Sequence, residues 1–288
     1  MKYHYSELLY FFANRLPKLI YGKYFARNLI KVHWGRGLNN FGDCLQPSIL
    51  KHYGLTPVYV PSMKQADVIL AGSILQLVPS DYKGYILGTG GDNYKYNFKD
   101  ASILGVRGEL TKSNIINHKD SHNMTLGDTG LLMAKIYPEK TVPKYELGIV
   151  LHFVDKDTEI ASLLRKNIPP NNTLFINVCR SPSIVINEIK SCRHIISSSL
   201  HGLIIADAFH IPNRWIINRH TMPTDFYEYK FEDYYSSLGI KERPLEIIGS
   251  ETMDTLINAT SMKPYDKIDE LIESLDKQMK LLSCIFRK

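Results

Sequence analysis

The chain has few cysteines, and the four it carries (Cys44, Cys179, Cys192 and Cys284) form no CxxC pair and no metal-ligand spacing. That excludes a disulfide-stapled scaffold and a zinc ribbon, and reduced thiols in a cytoplasmic protein are expected. No apolar run approaches the roughly 20 residues needed to cross a bilayer, and no signal peptide with a small-residue cleavage site is evident. HExxH, the GxSxG nucleophile elbow and the P-loop are all missing. Zinc-hydrolase and serine-hydrolase chemistry therefore lose their main support, and neither a metal nor a cofactor is expected. There is no internal repeat and no low-complexity tract. A hydrophobic content of 44% with 22% charged residues is instead that of a folded chain, and 288 residues suffice for two ordinary domains.

The net charge of +6 is concentrated at one end. Within the first 36 residues stand Lys2, Arg15, Lys18, Lys23, Arg27, Lys31 and Arg36 against Glu7 alone, interleaved with leucines, tyrosines and phenylalanines. A basic amphipathic segment over residues 1–28 can lie peripherally on an anionic membrane surface or pack on its own domain with a solvated basic face. Nucleic acid is not an expected partner, because the remaining chain has balanced charge and no binding motif.

From residue 29 onward the pattern alternates between short β-branched runs and segments of helical period. Strands are expected at 29–34, 58–60, 68–71, 84–87, 103–106 and 123–126, with helices at 43–53 and 108–116. Residues 137–145 hold two prolines, two lysines and no period, and read as a linker. A second series follows, with strands at 147–152, 173–177, 194–198 and 213–217 and helices at 158–166, 181–191 and 200–209. Residues 266–282 carry Ile268, Leu271, Ile272, Leu275, Met279 and Leu282 at helical spacing. The expected fold class is α/β with largely parallel sheets. The organisation is a segment at 1–28, an α/β domain at 29–140, a second at 146–262, and a C-terminal amphipathic helix at 263–288 able to cross back. Ligands in such folds bind beyond the carboxyl ends of the strands.

Five stretches fall at those ends. NNFGDCLQP (39–47) offers Asn40, Gly42 and Asp43, although on spacing alone it reads as a capped helix behind a tight turn. AGSIL (71–75) and LGTGGD (87–92) put Ser73 and Gly90 after strands; the second is no dinucleotide fingerprint, since Asn93 stands where its last glycine belongs. GVRGELT (105–111) sets Arg107 where it could fork onto a phosphate or carboxylate, or simply face solvent. His152 closes an apolar strand, an ordinary place for a core histidine. SSSLHG (197–202) joins a strand to a helix whose first N–H groups lack helical partners, a ready anion site with His201 beside it. Three serines, a histidine and a glycine exceed what capping needs.

Taken in order, NNFGDCL, AGSIL, GTGG, VRGELT, GDTGLL, LHFVD and SSSLHGLIIADAFHIP resemble the polysaccharide pyruvyltransferase family over about residues 34–215. The resemblance implies two Rossmann-like domains facing a cleft in a GT-B-like arrangement. It implies phosphoenolpyruvate as donor co-substrate and a sugar hydroxyl pair, free or lipid-linked, as acceptor. The product would be a pyruvate ketal on a capsule, exopolysaccharide or precursor, made at the inner face of the membrane or in the cytoplasm. His201 would be the general acid or a phosphate ligand, with Asp43 as its catalytic companion. Ser198, Ser199, Leu200 and Gly202 would meet the donor, and Asn40, Gly42, Ser73, Gly90 and His152 would line the cleft or acceptor side. Many members carry arginine where this chain has Ser199, so Arg107 or Arg214 is expected to supply that charge. Two other classes stay open: a glycosyltransferase using a nucleotide sugar, and a non-catalytic protein that binds sugar phosphates.

Overall fold

The computed structural model describes residues 28–35, 41–116, 123–222 and 224–287, together with 13, 16 and 17. Most of the basic segment expected at 1–28, and Asn40, lie outside the described residues.

The first half forms a five-stranded parallel sheet from β1 (Leu29–Val32), β2 (Thr56–Tyr59), β3 (Val68–Ile69), β4 (Tyr85–Ile86) and β5 (Ser102–Ile103). A separate parallel pair joins β6 (Gly105–Val106) to β7 (Thr125–Leu126). The single strand expected at 103–106 is thus two, broken at Leu104, with its halves in different sheets. The second half builds another five-stranded parallel sheet from β8 (Tyr145–Leu151), β9 (Thr173–Asn177), β10 (Cys192–Ser197), β11 (Asn213–Ile217) and β12 (Leu245–Glu246). Residues 138–144 between the halves form no regular element.

The strand orders are β2-β1-β3-β4-β5 and β12-β11-β10-β8-β9. Counted from the first strand of each sheet, both read 2-1-3-4-5, the doubly wound order that leaves a crevice where the winding reverses. The reversals fall between β1 and β3 in one sheet and between β8 and β10 in the other.

Among the described residues the named α-helices are, in chain order, α1 (Gln46–His52), α2 (Glu109–Asn114), α3 (Met133–Ile136), α4 (Glu159–Asn167), α5 (Pro182–Lys190), α6 (Leu200–Ala208), α7 (Thr224–Ser237), α8 (Met253–Ala259) and α9 (Tyr265–Phe286). All nine residues of α6 are buried. Apart from His201 and Asp207 it is apolar, because it is covered on every side by β10 and β11 and by α3, α5, α9 and a 3-10 turn at Thr129–Leu132. One core cluster consequently runs from Ile30, Val32 and Leu45 through Leu131 to Leu203, Ile205 and Trp215. Both reversals are held by the same packing.

The helix α9 buries the six apolar residues its spacing picks out, each contributing roughly 1.5–3 kcal/mol of transfer energy. It lies against β7, the Thr129–Leu132 turn and α6. Tyr53 Oη donates to Asp276 Oδ1 (2.7 Å), and Arg287 donates to the Tyr53 carbonyl (2.7 Å). The C-terminal helix therefore crosses back onto the first half. Among the described residues no helix is long and apolar enough to cross a membrane.

Candidate active site

The residues that follow the strands at the two reversals line one cavity of about 190 Å³. Gly72 and Ser73 come from beyond β3, His152 from beyond β8, and Ser199 and His201 from beyond β10. Asp43 reaches it from the 3-10 turn Asp43–Leu45 ahead of α1, and Lys230 from α7.

The serine turn divides its work. Ser197 Oγ lies 2.9 Å from the Val150 carbonyl and 2.8 Å from that of Ser199, and accepts from the Ser199 N–H (3.0 Å). Ser198 Oγ accepts from the His152 N–H (2.9 Å) and donates to Asp155 Oδ2 (2.5 Å). Thr221 donates to the other oxygen of Asp155. Two hydroxyls are thus spent tying β8 to β10. Ser199 occupies the N-cap of α6 without a side-chain cap bond and stands on the cavity wall. The first N–H groups of α6 have no carbonyl four residues back to bond. Gly202 lets the helix seat on this turn, since a Cβ there would lie 2.4 Å from Ser197 Oγ.

His201 is wedged between the halves. Its Nε2 is 3.6 Å from Oδ2 of the fully buried Asp128, whose Oδ1 caps the Thr129–Leu132 turn through the Gly130 N–H (2.8 Å). On the other side the ring lies so close to Gly42 that a Cβ there would sit 2.1 Å from Nδ1. Gly42 is glycine to admit the imidazole.

Asp43 is pushed up to about 6, first by burial and then by Asp128; His201 and the Gly35 backbone pull it partly back. His152 is pushed down to about 3 by burial, then Lys230, then His201, and is a neutral imidazole at pH 7. Burial drives Lys230 down to about 7, Arg107 adds to the effect, and Asp155 opposes it. The site therefore holds an acid and an amine that both titrate near neutrality.

The two expected arginines stand off the cavity wall. Arg107 has no exposed side-chain surface: its Nε donates to Asp233 Oδ2 (2.8 Å) and its Nη1 to Ser73 Oγ (2.5 Å). Asp233, on α7, also accepts from the Thr111 N–H (2.8 Å) and hydroxyl (2.7 Å). Gly90 makes room for the guanidinium, since a Cβ would fall 2.2 Å from its Cζ. Arg107 and Gly90 thus act behind Ser73. Arg214, on β11, pairs with Glu242 (3.4 Å), which Lys263 also bridges.

Asp128, Asp155, Lys230 and Asp233 are the site's residues that sequence reasoning missed. Asp128 lay within the quoted GDTGLL, where a carboxylate opening a turn after a strand was the available signal, and Asp155 closed the quoted LHFVD. Lys230 and Asp233 needed the tertiary fold. Among the described residues no group of three His, Cys, Asp or Glu side chains is placed to hold a metal ion.

Comparison with known proteins adds four findings. The family model for polysaccharide pyruvyl transferase matches residues 2–220. The succinoglycan biosynthesis protein ExoV of Rhizobium meliloti (strain 1021) is 23% identical over 235 residues, 78% of this chain and 70% of its own length. An uncharacterized protein of Acanthamoeba polyphaga mimivirus is 34% identical over 163 residues, 54% of this chain. The match spans 55% of that relative, little more than half of it. Among solved structures, an uncharacterized protein of Klebsiella pneumoniae aligns with 82% of this chain and 99% of its own at 14% identity. Its TM-score of 0.43 is too low to carry an argument.

Proposed function

Because the chain belongs to the polysaccharide pyruvyl transferase family, we propose that it moves the enolpyruvyl group of phosphoenolpyruvate onto two hydroxyls of a saccharide, leaving a pyruvate ketal. The observation that carries this reading is the cavity where His201, Asp43 and an uncapped helix start converge. At about 190 Å³ it lies below the range of about 300–1,000 Å³ typical of drug-sized ligands. That favours a three-carbon phosphorylated acid over a nucleotide sugar.

The chemistry follows from the residues. The methylene of phosphoenolpyruvate takes a proton from the imidazolium of His201 as a sugar hydroxyl attacks the neighbouring carbon. Because Nε2 is sealed against Asp128, Nδ1 is the nitrogen left to deliver that proton. The attacking hydroxyl gives up its proton to a base, for which Asp43, held near 6, is suited. The carbon–oxygen bond to phosphate then breaks, the second hydroxyl closes the ring, and its proton leaves with the phosphate. One methylene has become a methyl, and two hydroxyl hydrogens are accounted for. The N–H groups opening α6 stabilise the donor's anionic groups.

In this reading the two doubly wound sheets are the two Rossmann-like domains of a GT-B-like enzyme, with the donor held by the second and the acceptor by the first. The acceptor is a precursor of a capsule or exopolysaccharide, met at the inner membrane face. Incubating the full chain with phosphoenolpyruvate and a lipid-linked or free oligosaccharide tests the proposal. Phosphate release matched by the acceptor's mass gain of one pyruvate ketal is expected. Turnover of a nucleotide sugar with phosphoenolpyruvate untouched would overturn it.

A further inference from the structure

Lys230 is 6% exposed and stands on the cavity wall. Of the residues lining the cavity it is the one with an amine or guanidinium side chain. Among the described residues no carboxylate pairs with it; its Nζ instead lies 4.4 Å from the centre of the Tyr227 ring and 5.4 Å from that of Phe231. A buried ammonium without a partner is expensive, and a neutral side chain of the same length would avoid the cost. The second cation nearby, Arg107, is already neutralised by Asp233, and its hydrogen bond fixes Ser73 on the same wall. The family match ends at residue 220, before α7 begins, and so assigns Lys230 no role.

We propose that Lys230 is the donor-binding cation of this site, gripping the phosphate of phosphoenolpyruvate opposite the first turn of α6. The inference rests on the donor reading above. It supplies within the cavity the positive charge that neither Arg107 nor Arg214 brings to its wall. The charged and titratable groups around the amine are Arg107 from beyond β6, Asp155 and His152 from beyond β8, and Tyr227 on its own helix, with His201 on α6 and Asp43 ahead of α1 lining the same cavity. With its pKa pushed down to about 7, the amine is largely neutral at pH 8 while the cavity is empty. An arriving phosphate dianion favours the ammonium, so donor binding at pH 8 takes up a proton.

The test is calorimetric titration of the full chain with phosphoenolpyruvate, and separately with inorganic phosphate, at pH 8 in buffers of differing ionisation enthalpy. Wild type is expected to take up a substantial fraction of a proton. Lys230→Arg is expected to bind within a few-fold of wild type with that uptake abolished, since arginine is always charged. Lys230→Met is expected to bind both ligands at least about tenfold more weakly, yet to melt no lower than wild type, because it replaces a buried amine lacking a carboxylate partner with an apolar side chain of similar length. Binding of phosphoenolpyruvate by Lys230→Met at wild-type strength would overturn the assignment, and so would absence of proton uptake by wild type. Were Lys230→Met to misfold, the wild-type and Lys230→Arg titrations decide alone. A wild type that neither binds nor consumes phosphoenolpyruvate would instead sink the donor reading, an outcome distinct from a working enzyme indifferent to Lys230.

Discussion

His201 Nε2 lies 3.6 Å from Asp128 Oδ2, and among the described residues neither atom has a hydrogen-bond partner or any solvent contact. The aspartate comes from the turn after β7 and the histidine from the first turn of α6, so their meeting depends on the two halves being packed as one. A carboxylate at that distance orients the ring and supplies the countercharge whenever the ring carries a proton.

His201→Ala is expected to keep the fold and to lower turnover by about two orders of magnitude or more, the loss typical of a missing general acid. Asp128→Asn is the sharper variant, because asparagine can still cap the Thr129–Leu132 turn while removing the charge. Its melting temperature should stay close to that of wild type while kcat falls about tenfold or more. Normal kcat in Asp128→Asn would reduce the aspartate to a cap.

Asp43 links the site to pH. Its folded-state pKa of about 6 lies above the ordinary 3.8, chiefly through burial. The stability tied to its protonated form is fully present below about 3.8 and is lost as pH rises through about 6. Above that, the ionised carboxylate costs about 3 kcal/mol. Asp43→Asn should therefore melt several degrees above wild type at pH 8 and by only about half as much at pH 5, while losing most of its turnover. Paired thermal melts at the two pH values check this; a gap of equal size at both would show that Asp43 does not titrate in that window.

The strands at 173–177 and 213–217 were legible to the residue, because β-branched runs between prolines and polar loops leave little choice. The buried stripe of α9 was equally plain, since its apolar period is unbroken. By contrast α7 was invisible: Phe231, Tyr234 and Tyr235 are wholly buried, but its aromatics follow no single face. Its acidic opening at Asp225 and Glu228 was the one helical signal. Missing α7 meant missing Lys230 and Asp233 with it. Ser73, His152, Ser199 and His201 could be found because strand ends of a doubly wound sheet are where ligands meet the chain. The partner of Arg107 could not, because a pair 126 residues apart in sequence leaves no local mark.

The charge at the start of the chain yields a prediction from sequence alone. Each basic residue near an anionic surface contributes on the order of 1 kcal/mol, and the attraction is screened over about 8 Å at physiological salt. We expect co-sedimentation with anionic but not neutral vesicles, reversed by high salt and by replacing Lys18, Lys23 and Arg27 with glutamate. Equal partitioning of wild type and variant at low salt would leave the segment no role at a membrane.

The Arg107–Asp233 pair joins α7 to the first half with both side chains wholly buried. Removing either partner strands a charge out of water, which costs about 3–5 kcal/mol, whereas removing both leaves nothing uncompensated. Arg107→Met and Asp233→Asn should each melt well below wild type, and the double variant should recover part of the loss. The pair also governs function at one remove, since Arg107 Nη1 fixes the Ser73 hydroxyl on the cavity wall. Arg107→Lys keeps the charge but cannot donate at once to Asp233 and Ser73 in the same fork. It should raise the substrate KM several-fold at nearly unchanged kcat, because Ser73 is freed while His201 and Asp128 stay where they are. A variant in which kcat collapses and KM holds would place Arg107 in the chemical step instead of behind it.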